Sequence, residues 1–377
     1  MPEERVVIVD SGIITAYGRG LDCCWDGLRS DRSMICPVTR FGTSQFISNY
    51  AATLPDLAPA EGRSLVMTML EDLRGMRSFD TPGDADLILA TTVGEIDILE
   101  RAVLDGSGDA SGSDFDALLG KVASGWRVNG SATVVSSACA SSTIAIAVGA
   151  DAIRTGRTDC VLVIGCDCVS EFVFAGFSAL GALDGRPARP FDADRAGLSL
   201  GEAVGYVLLM SHARSALEGR PAQCDVVAWS MSSDAEHMTR PTQSGRQLAR
   251  AMGDAIARAG ASPADVSAVC AHGTGTPYND AMEMAALKAL FDRPAPTFSV
   301  KGGIGHTLGA AGLVETVLSA RVLRERSIPP TINTETIAPE AVGWIDLEAR
   351  DISDGLVLTT NSGFGGVNAC LLLGRGE

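Results

Sequence analysis

The sequence predicts an α/β protein made of two similar halves, and three observations carry that expectation. Short β-branched runs alternate with Ala-rich stretches, so strands and helices follow one another in turn. The strand runs are nearly continuous in apolar residues instead of alternating with polar ones, as in strands covered on both faces. Three segments also recur in order. Asp86-Leu-Ile-Leu-Ala90-Thr-Thr-Val-Gly94 parallels Asp265-Val-Ser-Ala-Val-Cys-Ala-His272-Gly273, an acidic start, a strand and a polar glycine turn. Ala132-Thr-Val-Val-Ser-Ser-Ala-Cys139 leads into an Ala-rich helix, and Pro296-Thr-Phe-Ser-Val-Lys301 does so through Gly309-Ala-Ala-Gly312. Asp159-Cys-Val-Leu-Val-Ile-Gly165 is echoed by Asp354-Gly-Leu-Val-Leu-Thr-Thr-Asn361. Recurrence in the same order implies duplication, with a seam near residues 211–224 and halves spanning 1–220 and 221–377.

The elements follow from local pattern. Val6-Val-Ile-Val9 opens the chain as a strand, with no long apolar segment before it to serve as a signal. Further strands are expected over 87–90, 133–136, 160–164, 204–210, 266–271, 297–300 and 356–360. The run beginning at Cys160 is apolar enough to suit a sheet-to-sheet contact between subunits. Helices are expected over 141–154, 246–259, 280–291 and 310–324; the first and last have few polar positions and belong inside the molecule. Residues 106–114 are rich in Gly, Ser and Asp and read as a loop. Residues 181–201 carry turn residues around Arg189-Pro-Phe-Asp-Ala-Asp-Arg195 and read as a second.

Composition excludes several functions. Lys and Arg number 30 against 46 Asp and Glu, a net charge of −16 over 377 residues. A field of that sign repels phosphate backbones and anionic lipid, which argues against nucleic-acid and membrane-surface binding. An acidic partner would need a local basic patch, and Arg63, Arg74 and Arg77 form the nearest cluster in sequence. Ten cysteines in a chain this long are no disulfide framework. Adjacent Cys23 and Cys24, and Cys166 with Cys168, lack metal-ligand spacing, so no metal is expected. No window holds the roughly 18 apolar residues of a membrane-spanning helix, and the expected location is the cytoplasm.

Candidate chemistry gathers at strand ends. Cys139 sits between a strand and a helix, where unpaired N–H groups and the helix dipole favour thiolate; a buried cysteine at a strand-to-helix turn is the bland alternative. Of four histidines, His272 follows the strand over 266–271 and opens His-Gly-Thr-Gly-Thr-Pro277, and His306 lies in Lys301-Gly-Gly-Ile-Gly305-His306-Thr-Leu-Gly-Ala-Ala-Gly312. Ligands of α/β sheets bind just past the carboxyl ends of strands, and flanking glycines let backbone approach a ligand. His212 reads as a surface residue, and His237 as structural or pocket-lining. Gly302–Gly312 has neither phosphate-loop nor dinucleotide order, because its lysine precedes the glycines.

These residues carry a resemblance. Ser137-Ala-Cys139-Ala-Ser-Ser, Arg189-Pro-Phe-Asp-Ala-Asp-Arg195 with Gly201-Glu202, Ser232-Ser-Asp-Ala-Glu-His-Met-Thr239, Ala271-His272-Gly-Thr-Gly-Thr-Pro277 with Asp280, Lys301-x-x-x-Gly305-His306, and Gly363-Phe364-Gly-Gly366 occur in order. The chain thereby resembles the elongating β-ketoacyl-acyl-carrier-protein synthases, from about Val6 to Leu373. The resemblance implies a thiolase-like fold, two duplicated α/β halves in five αβαβα layers. It implies a Cys139-His272-His306 triad that joins a Cys-bound acyl chain to malonyl carrier by decarboxylative condensation, in type II fatty acid or polyketide and polyene assembly. Lys301 would support the histidines with Glu315 as its partner and Asp280 in support. Backbone N–H groups of Cys139 and Phe364 would form the oxyanion hole, with Phe364 as gate. Thr239, Thr274 and Thr276 would line the channel for the phosphopantetheine arm, which the acyl carrier protein brings; no cofactor is held permanently. A homodimer, or a heterodimer with a chain-length-factor-like subunit, is implied.

Two departures stand out. The family pattern before Gly-Phe-Gly-Gly is Asn-Ser-Phe, and here it reads Thr360-Asn361-Ser362. Glu95 and Asp97 put carboxylates where the resemblance places the acyl channel. An acyltransferase that forms no carbon–carbon bond, and a non-catalytic partner subunit, remain as alternative readings at this stage.

Overall fold

In the computed structural model, which describes residues 4–376 except 79, 105 and 107–109, the duplication is written into the strand pairing. The first half supplies β1 (Val6–Thr15), β2 (Asp86–Ala90), β3 (Ala132–Val135), β4 (Cys160–Asp167) and β5 (Ala203–Ser211), hydrogen-bonded in the order β1-β5-β4-β2-β3. The second supplies β6 (Cys224–Ser233), β7 (Val266–Cys270), β8 (Thr297–Phe298), β9 (Leu356–Gly363) and β10 (Val367–Arg375), in the order β6-β10-β9-β7-β8. Directions repeat as well. In each half the last strand runs antiparallel to the first and fourth, while the fourth, second and third run parallel. The half-sheets meet where β1 pairs with β6, Val7 opposite Asp225.

Four helices position the site: α1 (Ser141–Arg154), α2 (Arg246–Arg258), α3 (Pro277–Leu290) and α4 (Ala311–Glu325). Twelve of the fifteen residues of α4 are buried, which requires cover on every side. That cover is α1 together with both half-sheets: Ile146, Leu313 and Val317 share one core with Val163, Val207, Val357 and Leu371. The helices Leu65–Arg74 and Phe115–Trp126 cover the outer face of the first half, and α2 and α3 that of the second. The outcome is five layers, helix, sheet, helix, sheet, helix.

Two details differ from the sequence expectation. The strand beginning at Cys160 is interior, paired on both sides by β5 and β2; the edge of the first half is β3, whose Ala132 and Thr133 are exposed. Continuous apolar character marks a strand inside a sheet, so it could not mark this edge. Helix α3 starts at Pro277, because Thr276 caps it and proline fits the first turn without losing a hydrogen bond. Of the loop expected over 106–114, residues 107–109 lie outside the described residues.

Candidate active site

Cys139 lies in the tight turn between β3 and α1. Ala138 adopts φ +48°, a conformation costly for a residue with a Cβ. The turn is closed by Ser141 Oγ, which accepts from the Ser137 N–H at 2.8 Å and donates to the Ala138 carbonyl at 2.6 Å. The loop carrying Phe364 packs directly behind: a Cβ on Gly363 would lie 3.2 Å from the Cys139 nitrogen and from the Ala138 Cβ, close enough that the turn would have to shift. The Phe364 and Cys139 N–H groups then address the sulfur. The thiol is nevertheless pushed up to about 11 by burial, against the lowering pull of Lys301 and those amides. This corrects the thiolate expected from the helix end: enclosure outweighs the dipole.

His272 follows β7 and is anchored from behind. Its N–H and that of Gly273 donate to the two oxygens of Glu283 at 2.7 and 2.8 Å. Asp280, one helical turn before Glu283 on α3, takes the N–H groups of Thr274 and Gly275 at 3.0 and 3.1 Å. Gly273 and Gly275 adopt φ +33° and +81°, which lets the turn fold over these carboxylates. Lys301 Nζ donates to the His272 carbonyl and to Glu315, and stands 3.3 Å from His272 Nδ1. Burial pushes the Glu283 carboxyl up to about 7, against three lowering donors.

His306 follows Gly305, itself at φ +66°, and is held by its backbone: its N–H donates to the Ser199 carbonyl at 2.8 Å and its own carbonyl accepts from Gly201 N–H at 2.9 Å. Both ring nitrogens are buried, and neither has a hydrogen-bond partner among the described residues. The two imidazoles stand nearly perpendicular, centroids 5.2 Å apart. A ligating atom of each lies within 4.8 Å of the other and of the Cys139 sulfur. Burial, and then the Lys301 cation, holds both histidines well below their ordinary value, so both rings are neutral near pH 7. Among the described residues this is the one group of three or more His, Cys, Asp or Glu side chains close enough to hold a metal.

The three side chains open on a cleft of about 370 Å³. Thr239, Thr274 and Thr276 line it, as does Phe364, which stacks on Phe177 at 5.7 Å. Asp280, Lys301 and Glu315 stand behind its wall. Sequence reasoning missed Phe177, Glu283 and Asn361. Glu283 had one available signal, its spacing of one turn from Asp280 on the face toward His272. Asn361 reaches both Glu315 and His272 Nδ1; Phe177 carried no signal.

Other expected residues lie elsewhere. Glu95 is buried against Ser64 Oγ and Lys121, and Asp97 against the Leu65 N–H and Arg101. Both are structural carboxylates, and neither lines the cleft. Arg63 pairs with Glu71, Arg74 donates to the Gly125 carbonyl, and Arg77 lies over Trp126; the arginine that lines the cleft is Arg240. His237 shapes the neighbouring loop, its Nδ1 accepting the N–H groups of Thr239 and Arg240 at 3.0 and 3.1 Å. No helix among the described residues is long and apolar enough to cross a membrane.

Comparison with known proteins places this geometry among relatives. The family model described as Beta-ketoacyl synthase, N-terminal domain, matches residues 88–215, and that for the C-terminal domain matches residues 223–335. The chain is 29% identical to 3-oxoacyl-[acyl-carrier-protein] synthase 2 of Coxiella burnetii, over 100% of this chain and 99% of that one. It is 31% identical to the protein assigned as granaticin polyketide β-ketoacyl synthase 1 in Streptomyces violaceoruber, over 99% of both. Among solved structures, a chain of the ishigamide ketosynthase/chain length factor superposes with a TM-score of 0.90 at 30% identity, covering 99% of each.

Proposed function

From the premise that this chain belongs to the β-ketoacyl synthase family and is an enzyme of the acyltransferase class, we propose the following division of labour in its condensing site. Cys139 takes an acyl chain from the phosphopantetheine arm of an acyl carrier protein. Its sulfur attacks the thioester carbonyl, the bond from that carbon to the pantetheine sulfur breaks, and the thiol proton leaves with the pantetheine. The Cys139 and Phe364 N–H groups stabilise the tetrahedral oxyanion. Malonyl carrier then enters the cleft past Thr239, Thr274 and Thr276. Its carboxylate leaves as carbon dioxide, and the electron pair of the broken carbon–carbon bond forms an enolate. Neutral His272 and His306 donate to that enolate oxygen. The enolate carbon attacks the Cys139 thioester, forming the new carbon–carbon bond and freeing the sulfur to regain a proton.

The observation that carries this reading is the pairing of one buried sulfur with two neutral imidazoles on the same cleft. A single acid–base partner suffices for simple acyl transfer; two imidazole donors beside the nucleophile suit an enolate formed there. Lys301 and Glu315 are positioning residues for His272, and Asp280 shapes its turn. Phe364, stacked on Phe177, gates the step between the two substrates. The chain acts in the cytoplasm with its substrates delivered by acyl carrier protein. Its free edge strand β3 pairs with a second subunit, a copy of this chain or a chain-length-factor-like partner. The two halves, 1–220 and 221–377, contribute the nucleophile and the histidines respectively.

Intact-protein mass after incubation with acyl carrier thioesters tests the covalent step. An acyl adduct on the wild type, absent from Cys139→Ala, is the expected result. An adduct that persists in the variant would contradict the assignment of the nucleophile.

A further inference from the structure

Asn361 stands at the end of β9, fully buried, and its amide has one consistent orientation. The Thr143 hydroxyl, from the first turn of the nucleophile's helix α1, donates to Asn361 Oδ1. Asn361 Nδ2 donates to Glu315 Oε2 at 2.7 Å and lies 3.2 Å from His272 Nδ1. Turning the amide round would set its oxygen against the Glu315 carboxylate at that same distance, acceptor on acceptor. Room for the arrangement comes from Gly312: a Cβ there would lie 1.9 Å from Thr143 Oγ1 and 2.8 Å from Asn361 Oδ1.

Two groups therefore face His272 Nδ1, Lys301 Nζ at 3.3 Å and Asn361 Nδ2 at 3.2 Å, and both are donors with no lone pair to offer. Lys301 has two further acceptors to serve, the His272 carbonyl and Glu315. An Nδ1–H would meet two donors head on. The proton belongs on Nε2, the nitrogen left to face the cleft. We propose that Asn361 is a positioning residue which, together with Lys301, holds His272 in the tautomer that carries its proton on Nε2.

The other half of the molecule sharpens the point. Asp167 ends β4, the strand that takes the place of β9 in the first half-sheet. It accepts from Thr91 Oγ1, from Thr92 N–H and Oγ1, from Val93 N–H and from Gly309 N–H, joining the turn after β2 to the segment that leads into α4. Its donors include none of Cys139, His272 or His306. Asn361 makes the corresponding link from the turn after β7 to α1, and the residue it meets in that turn is His272.

The proposal rests on the condensing role assigned to His272, and the test separates the two. The full chain labelled with 15N-histidine is read by ring-nitrogen NMR without substrate at pH 7.5, His272→Gln identifying the signals. The wild type should show His272 protonated on Nε2. In Asn361→Leu the share of the Nδ1–H form should rise roughly fivefold, the factor that one ordinary hydrogen bond supplies. Thr143→Val, which frees the amide to turn, should shift it the same way by less. Condensation should fall by a similar factor in Asn361→Leu, while acyl loading of Cys139 changes less than twofold. A wild-type His272 protonated on Nδ1 would overturn the proposal, as would folded variants that both keep the wild-type tautomer ratio. Because the signals are read without substrate, they decide the role of Asn361 whether or not the chain proves to make a β-ketoacyl product.

Discussion

His272 and His306 face the same sulfur from turns in the same half of the molecule, yet they are held in opposite ways. Behind His272 lie the buried Lys301, Asn361 and Glu283, each tied to its ring or its backbone, and Glu315, which accepts from both Lys301 and Asn361. Among the described residues nothing hydrogen-bonds the His306 ring; its backbone is clamped between Ser199 and Gly201. A buried unpaired polar atom is costly unless something else satisfies it. The difference therefore reads as one imidazole oriented by the protein in advance and one left for the substrate to complete.

The largest effect that could break this comparison is on the chemistry itself. Removing either imidazole should lower condensation by about 10²–10³-fold, the usual loss for one preorganised donor. The stabilities should then part: His272→Ala leaves buried donors without their acceptor and should cost about 1–3 kcal/mol in denaturant unfolding, while His306→Ala should cost clearly less. Equal losses would mean that the two rings are anchored alike. Next in size is the ion pair. Lys301→Met leaves Glu315 as an uncompensated buried carboxylate and should cost about 3–5 kcal/mol, and a Lys301→Met/Glu315→Leu double variant should recover much of it. Wild-type stability in the single variant would contradict the shell described here.

Titration sharpens the contrast further. Both histidines stay neutral when folded but take a proton near pH 6.5 when unfolded, so unfolding takes up protons and stability should fall as pH drops below about 6.5. Glu283 has the opposite sign. It ionises near 4.5 when unfolded and near 7 when folded, so its contribution should weaken stability as pH rises from about 4.5 to about 7. Denaturation across that range should show the rising-pH loss flattened in Glu283→Gln, and an unchanged slope would remove Glu283 from the His272 shell. With its thiol at about 11, Cys139 should alkylate with iodoacetamide at a rate still climbing at pH 10; a plateau near pH 7 would restore the thiolate reading. The smallest effect expected is at the cleft mouth. Arg240→Ala should raise the KM for carrier protein a few-fold, on the order expected for a rim charge, with Arg74→Ala unchanged.

Much of this was legible in the chain. The three sequence echoes fall on β2 and β7, β3 and β8, and β4 and β9, the pairs that hold equivalent places in the two half-sheets. They survive because a strand buried on both faces keeps its apolar run and its Gly turn wherever it stands. His272 and His306 were visible because they stand past strand ends beside glycines, and Cys139 because it sits between a strand and a helix. Residues behind the site were harder. Asn361 and Glu283 act across 89 and 11 positions of sequence, through contacts that only the folded sheet creates. The thiol at Cys139 was misjudged because a helix start can be seen in sequence and the apolar enclosure around it cannot. Glu95 and Asp97 misled for the same reason: their partners, Lys121 and the Leu65 N–H, come from helices that fold over them.

The central claim is that one nucleophile and two unlike histidines form a single decarboxylating site. Release of labelled carbon dioxide from carboxyl-labelled malonyl carrier by acyl-loaded protein tests it most directly. Wild-type protein should release carbon dioxide and β-ketoacyl product in equal amounts, while His272→Ala and His306→Ala should each still load the acyl chain on Cys139 yet release almost none. Carbon dioxide release that continues at the wild-type rate in either histidine variant would contradict the account.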